Sequence, residues 1–330
     1  MAVRGMVYDD LYELCRDERK LMDWLEAFGL IGDFSGKCVK CESGSMGKRK
    51  DSSRSEGYVW RCSNKKCNQK IVARRDSWFF KSHLSVSEIM KLTFYWVYQV
   101  RENFVKVQLR LGSDHTLVDW FNYCRDVCLF VMEEENEMIG GPGIEVEIDE
   151  SKFGKRKFHR GRRVDGVWVF GGIEKESNRM FLEVVEKRDA DTLLSVLRKW
   201  VRPGSVIHSD CWKAYSRLNE MGYEHVTVNH SKEFVNAENG ACTNKIESTW
   251  RAVKASLPRY GTAKGLYDSY FVEYIVRKKY LRCSDDPFLT FLTFIRRVFD
   301  PQKPHEYFKI IETENKENDD EFNSSGDLFL

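Results

Sequence analysis

The chain has 330 residues, 42% of them hydrophobic, enough for one large buried core with one or two small modules beside it. Its longest apolar runs, such as Cys128-Leu-Phe-Val-Met132, are short and broken by charge. They fall well below the ~20 residues that cross a bilayer, and the first residues lack the apolar stretch of a secretory signal, so no membrane association and an intracellular location are expected. The net charge of +2 conceals a split: residues 311–330 hold seven acids against Lys316, residues 37–75 hold twelve Lys/Arg against three acids, and residues 151–163 hold seven Lys/Arg and no acid. Local basic blocks inside a near-neutral chain point to a polyanionic partner.

In chain order, Leu11, Leu14, Leu21, Trp24, Leu25 and Phe28 recur near a 3.6-residue period and predict an amphipathic helix over 8–30. Gly29 and Gly32 end it. Residues 36–80 are rich in Cys, Gly, Ser, Lys and Arg, with strand-like pieces at 58–62 and 70–73. Helices are predicted over 85–101, with Ser85 or Ser87 as N-cap, near 105–111, and over 114–135. This helix, turn, helix region spans 81–138. It is compatible with a DNA-reading module in which Lys106, Arg110, His115 and Asn122 reach bases, and equally with a plain helical linker.

Gly140-Gly-Pro-Gly143 marks a boundary, and the pattern then changes. Strands are predicted at 144–149, 167–173, 180–185, 205–209 and 225–230, with a turn at 176–178. Helices are predicted at 191–201, 212–222 and 243–257, and more follow to about 299. Three hairpin-type strands, then helix, strand, helix, short strand and helices match a ribonuclease-H-like α/β layout. The expected organisation is an N-terminal helix (1–35), a cysteine-bearing module (36–80), the helical region (81–138), an α/β domain (139–300) and an acidic tail (301–330) too polar to bury a core.

Three acids have suggestive positions. Asp149 is expected at the end of one strand and Asp210 just after another, and Glu247 one turn into a helix. Asn244, Glu247, Trp250 and Lys254 fall on one face of that helix. Acids placed so can converge on two Mg²⁺ or Mn²⁺ ions, Asp149 bridging both, for phosphodiester hydrolysis. An acid at a strand end is also an ordinary cap or surface group, so the pattern alone leaves both readings open. The basic residues that follow the first strand, Lys152, Lys155, Arg156, Lys157, Arg160, Arg162 and Arg163, are candidate phosphate contacts. Trp250 and Lys254 are candidates to stack on a base and hold a phosphate. His208 and His230 receive no catalytic role.

Cys38-x₂-Cys41 and Cys62-x₄-Cys67 have the spacing of a structural Cys₄ zinc ribbon, with Gly44 at the tight turn after the first pair. Reduced cysteines in a basic loop are the alternative. The other six cysteines lack ligand spacing and are expected as free thiols.

Several blocks resemble those of Merlin-type DDE cut-and-paste DNA transposases. They include Ile139-Gly-Gly-Pro-Gly143, Val146-Glu-Ile-Asp-Glu-Ser-Lys-Phe-Gly-Lys-Arg-Lys157, Trp168-Val-Phe-Gly-Gly172, Ser209-Asp-Cys-Trp-Lys-Ala-Tyr215 and Thr243-Asn-Lys-Ile-Glu-Ser-Thr-Trp-Arg-Ala-Val-Lys254. The resemblance runs over about 20–280 and implies a DDE triad at Asp149, Asp210 and Glu247. It implies water-driven cleavage at transposon ends, then attack of the freed 3′-hydroxyl on target DNA. It further implies double-stranded DNA as partner, a homodimer or higher oligomer, and a nuclear address in a eukaryotic host. A domesticated DNA-binding protein that does not cut, and another ribonuclease-H-like nuclease, are the competing readings.

Overall fold

The computed structural model describes residues 5–135, 137–154, 166–228, 242–258 and 262–302. They fall into two compact units, one formed within Met1–Val127 and Cys283–Leu330, the other within Cys128–Arg282.

The first unit opens with α1 (Tyr8–Arg16) and α2 (Glu18–Phe28), where the periodicity predicts one helix. Asp17 divides them. Its backbone is extended, and its carboxylate accepts the N–H groups of Arg19 and Lys20, which starts a new helix. Four short strands follow: β1 (Gly36–Lys37), β2 (Ser45–Lys50), β3 (Tyr58–Cys62) and β4 (Lys70–Val72). They pair antiparallel in sequence order around Met46, Trp60 and Ile71. Next come α3 (Val86–Val97), α4 (Glu102–Leu109) and the long α5 (Asp114–Glu135). Ser85 and Glu88 cap α3 reciprocally. Between α4 and α5, Lys106 Nζ pairs with Asp114 Oδ1 at 2.6 Å.

The second unit carries β5 (Ile139–Gly140), β6 (Glu145–Phe153), β7 (Val167–Glu174), β8 (Met180–Val185), α6 (Ala190–Trp200), β9 (Val201–Arg202), β10 (Val206–Asp210), β11 (Glu224–Val228), α7 (Asn244–Ser256) and α8 (Tyr267–Val276). Its main sheet has the order β11-β10-β6-β7-β8. β6, β7 and β8 form an antiparallel meander, while β10 and β11 run parallel to β6. Leu193, Leu194 and Leu197 of α6 cover one face with Val146, Ile148 and Ile207. Ile246, Trp250 and Val253 of α7 and Phe271 and Tyr274 of α8 cover the other, against Phe153, Val169 and Ile173. The result is three layers, helix, sheet and helix.

The predicted helix over 212–222 is instead two short 3₁₀ turns, Lys213–Tyr215 and Asn219–Met221. Trp212, Tyr215 and Leu218 face the α6-side core at a three-residue repeat, which a 3₁₀ turn satisfies and an α-helix would splay. The last helix, α9 (Pro287–Val298), belongs to the first unit rather than to the α/β domain expected to reach residue 300. There Phe288 meets Phe94 and Phe291 meets Trp96 of α3, with ring centroids 5.1 and 4.7 Å apart. The acidic tail beyond Gln302 lies outside the described residues. No helix among the described residues is long and apolar enough to cross a membrane.

Candidate active site and metal centres

Strand register builds the site. β6 and β10 pair from Glu145↔Val206 to Glu147↔His208 and then part. Asp149 and Asp210 each lie two residues past the last paired position, at the mouth of the parting. Asp149 does not end its strand, as expected from sequence. β6 runs on to Phe153 because β7 continues to pair with it as far as Val167.

Side chains alternate across β6, so Glu147, Asp149, Ser151 and Phe153 share the face that α7 covers. Each of the four meets that helix. Glu147, only 1% exposed, accepts the N–H groups of Lys245 and Ile246 at 2.8 and 3.0 Å. A buried carboxylate thereby caps the first turn of α7 and fixes where Glu247 stands. Asp149 Oδ2 accepts from Trp250 Nε1 at 2.9 Å. Ser151 Oγ lies 2.6 Å from Lys254 Nζ, and Phe153 packs edge-on against Trp250.

Gly171 makes the Asp149–Trp250 contact possible. It is the β7 residue paired with Asp149, and a Cβ there would stand 2.6 Å from the Trp250 ring. The indole rests where a side chain would otherwise be. Trp250, expected to stack on a base, is therefore 4% exposed and spent on the carboxylate. On that helix face the indole is used for core packing and for orienting an acid. Lys254 is exposed, with its ammonium 5.1 Å over the Phe153 ring.

Glu247 Oε1 accepts from Thr243 Oγ1 at 3.3 Å, and Asp210 Oδ1 accepts the N–H of Trp212 at 3.0 Å. Burial pushes the Asp149 carboxyl up to about 6, against the pull of the Glu150 N–H and the Trp250 indole, and the charges of Asp210 and Glu247 add to the rise. Three like charges thus gather at one place, an arrangement a divalent cation neutralises. The donors are all oxygen, as Mg²⁺ and Mn²⁺ require. Their oxygens do not all lie within 4.8 Å of one another.

Of the basic residues expected to touch phosphate, Lys152 sits exposed on β6, its ammonium 5.6 Å over the Trp168 ring. Lys155, Arg156, Lys157, Arg160, Arg162 and Arg163 lie outside the described residues, as does His230.

The four thiols of Cys38, Cys41, Cys62 and Cys67 form a separate centre in the first unit. Their sulfurs lie within 4.8 Å of one another, with Cys38–Cys67 and Cys41–Cys62 both at 3.7 Å. Zinc at ~2.3 Å from each of four sulfurs sets tetrahedral edges of about 3.8 Å, so the cluster fits zinc. Gly44 matters here because a Cβ would come within 2.4 Å of Cys62 Sγ. Glu42 and Asn68, one residue beyond each pair, take the left-handed turn, with φ of 51° and 50°. Hydrogen bonds from the Ser43 hydroxyl and the N–H groups of Gly44 and Ser43 lower the pKa of the Cys41 thiol, while burial raises those of Cys62 and Cys67.

An antiparallel meander joined to two parallel strands, helices on both faces, and acids at the parting of the central strands define a ribonuclease-H-like domain. Residues 138–281 match the family described as ISXO2-like transposase domain. An uncharacterized transposase-like protein of Haemophilus influenzae is 30% identical over 96 residues, 29% of this chain and 76% of that protein. The chain belongs to this transposase family. Among solved structures, it is similar to the catalytic core domain of BIV integrase, at 14% identity over 45% of this chain and 93% of that one, with a TM-score of 0.31. It is also similar to the HTLV-2 integrase catalytic core domain in complex with magnesium, at 12% identity over 48% and 85%, with a TM-score of 0.25.

Proposed function

We propose that this chain is a DDE-type cut-and-paste DNA transposase of the Merlin kind. The observation that carries the reading is the convergence of Asp210 and Glu247 on Asp149 where β6 and β10 part. Divalent ions, when bound there, would supply an activated water and a counter-charge for the leaving oxygen. Asp149, Asp210 and Glu247 would hold the ions through their carboxylate oxygens.

In the first step a water oxygen bonds to the phosphorus at a transposon end. The P–O3′ bond breaks and leaves a free 3′-hydroxyl. In the second, that hydroxyl attacks a phosphodiester of target DNA, and another 3′-oxygen leaves. The protein forms no covalent bond to DNA. Its own groups hold the acids: the Trp250 indole orients Asp149, the backbone N–H of Trp212 orients Asp210, and Glu147 anchors the helix that bears Glu247. The Cys₄ module holds structural zinc and, with its excess of Lys and Arg, contacts double-stranded DNA. The α3–α5 region reads the terminal repeat, two or more copies of the chain bring the ends together, and the protein works in the nucleus.

The test is incubation of the purified chain with a labelled transposon-end duplex in Mg²⁺ or Mn²⁺. Cleavage is expected, and Asp149→Asn, Asp210→Asn or Glu247→Gln each abolishes it while DNA binding persists. Normal cutting by those variants contradicts the triad. Binding without cutting by the wild type, in either metal, favours a domesticated DNA-binding protein.

A further inference from the structure

Arg188 lies between β8 and α6, and its guanidinium lies over two indole rings. The guanidinium carbon is 4.4 Å from the ring centroid of Trp168 and 4.5 Å from that of Trp212. Both indoles lie at cation–π distance from the guanidinium, a planar fork of five N–H donors. The nearest acid, Glu150, is 3.8 Å from Nε, beyond hydrogen-bonding length, and its side chain is 7% exposed against 39% for Arg188. Lys152 brings a second ammonium to the same Trp168 ring, 5.6 Å from its centroid.

This packing is tied to the carboxylates through Asp210. Trp212, one of the two rings, donates its backbone N–H to Asp210, while Glu150, next to Asp149 on β6, faces the α6 side of the sheet with Trp168. A part-exposed guanidinium packed on two indoles, one of them on the residue that caps Asp210, can offer the forked donors with which arginine takes a phosphate.

We propose that Arg188, packed on Trp168 and Trp212, binds a backbone phosphate of the DNA strand entering the carboxylate site, with Lys152 as the second cation. The proposal rests on the reading of the chain as a DNA-processing enzyme. Packing on the two indoles restricts the side chain before DNA arrives, so the contact would position the strand near Asp210 as well as add charge.

The test uses the full chain and a fluorescent duplex of about 40 base pairs of arbitrary sequence, with affinity measured over a salt series. Each phosphate contact contributes about 0.9 to the slope of log affinity against log salt concentration. Arg188→Gln is expected to weaken binding about tenfold at low salt and to flatten that slope by about one, with the melting temperature unchanged. Arg188→Lys is expected to keep the slope, and Arg198→Gln, on the surface of α6, to leave both quantities alone. A wild-type slope in Arg188→Gln overturns the proposal, even if affinity falls, because a structural role alone leaves the slope unaltered. Failure of the wild type to bind the duplex overturns it too. The proposed cutting is judged separately: a wild type that shows the slope change yet never cuts in Mn²⁺ keeps the phosphate contact and contradicts the transposase reading.

Discussion

Trp250 Nε1 donates to Asp149 Oδ2 across 2.9 Å, from a ring that occupies the space left by the missing side chain of Gly171. A hydrogen bond to a charged group is worth roughly 1.5–3 kcal/mol. Trp250→Phe, which keeps a buried ring and removes the donor, is therefore expected to lower cleavage ten- to a hundredfold with the fold intact. The indole also pulls the Asp149 pKa down. Its loss should move the acid limb of the pH–rate profile to higher pH. A reduced rate with no shift in the profile contradicts the orienting role.

Gly171→Val places a branched side chain where the indole rests. Overpacking of this kind costs typically 1–3 kcal/mol, so a lowered melting temperature is expected together with loss of cleavage. The double variant Gly171→Val/Trp250→Ala, which frees the space, should regain stability and remain poorly active. Additive destabilisation by the two substitutions contradicts the contact.

The placement of the acids was legible because Ile144-Glu-Val-Glu-Ile-Asp149 alternates, and a strand with apolar residues on one face puts its acids together on the other. Glu147 could have been found the same way, as the acid two residues before Asp149 on that face. Trp250 could not. Its role depends on which β7 residue pairs with Asp149, and register is a long-range property that the helix pattern does not carry. For the same reason the burial of Trp250 was not legible on a helix face that otherwise leaves Asn244 and Lys254 exposed. Local patterns also missed the unit to which α9 belongs, since its apolar stripe of Phe288, Phe291, Leu292 and Ile295 would fit any core. The Cys₄ spacing survived translation into geometry because short sequence separations tightly limit where the sulfurs can go.

Glu147→Ala leaves the first N–H groups of α7 without their buried partner. Losing such a cap costs typically ~1 kcal/mol, and more when the groups are buried. Cleavage should fall at least tenfold while duplex binding is retained, since Glu247 is displaced and the basic surfaces are not. Unchanged cleavage with a lowered melting temperature would restrict Glu147 to stability.

Asp149 gives the metal-free protein a characteristic pH dependence. Its folded pKa of about 6 lies above the ordinary aspartate value of about 4, so the folded state holds the proton more tightly than the unfolded chain. The resulting stabilisation is present below pH ~4 and lost as pH rises through about 6, amounting to about 3 kcal/mol. Without added divalent ions, Asp149→Asn should therefore melt higher than the wild type at pH 7.5, and the gap should close towards pH 4.5. Mn²⁺ should raise the wild-type melting temperature at pH 7.5 and lose that effect below pH 6, as protons compete for the site.

Cys38→Ser should release about one zinc ion per chain on elemental analysis and lower the melting temperature, because the small core around Met46, Trp60 and Ile71 needs the metal to hold it. Zinc content equal to that of the wild type contradicts the assignment.

The most direct measurement is anomalous diffraction from crystals soaked in Mn²⁺. Two peaks ~3.5–4 Å apart are predicted among the carboxylates of Asp149, Asp210 and Glu247, and both are lost or weakened in Asp149→Asn. Peaks confined to other residues, or a site equally occupied in Asp149→Asn, would contradict the claim that these three acids form the metal centre.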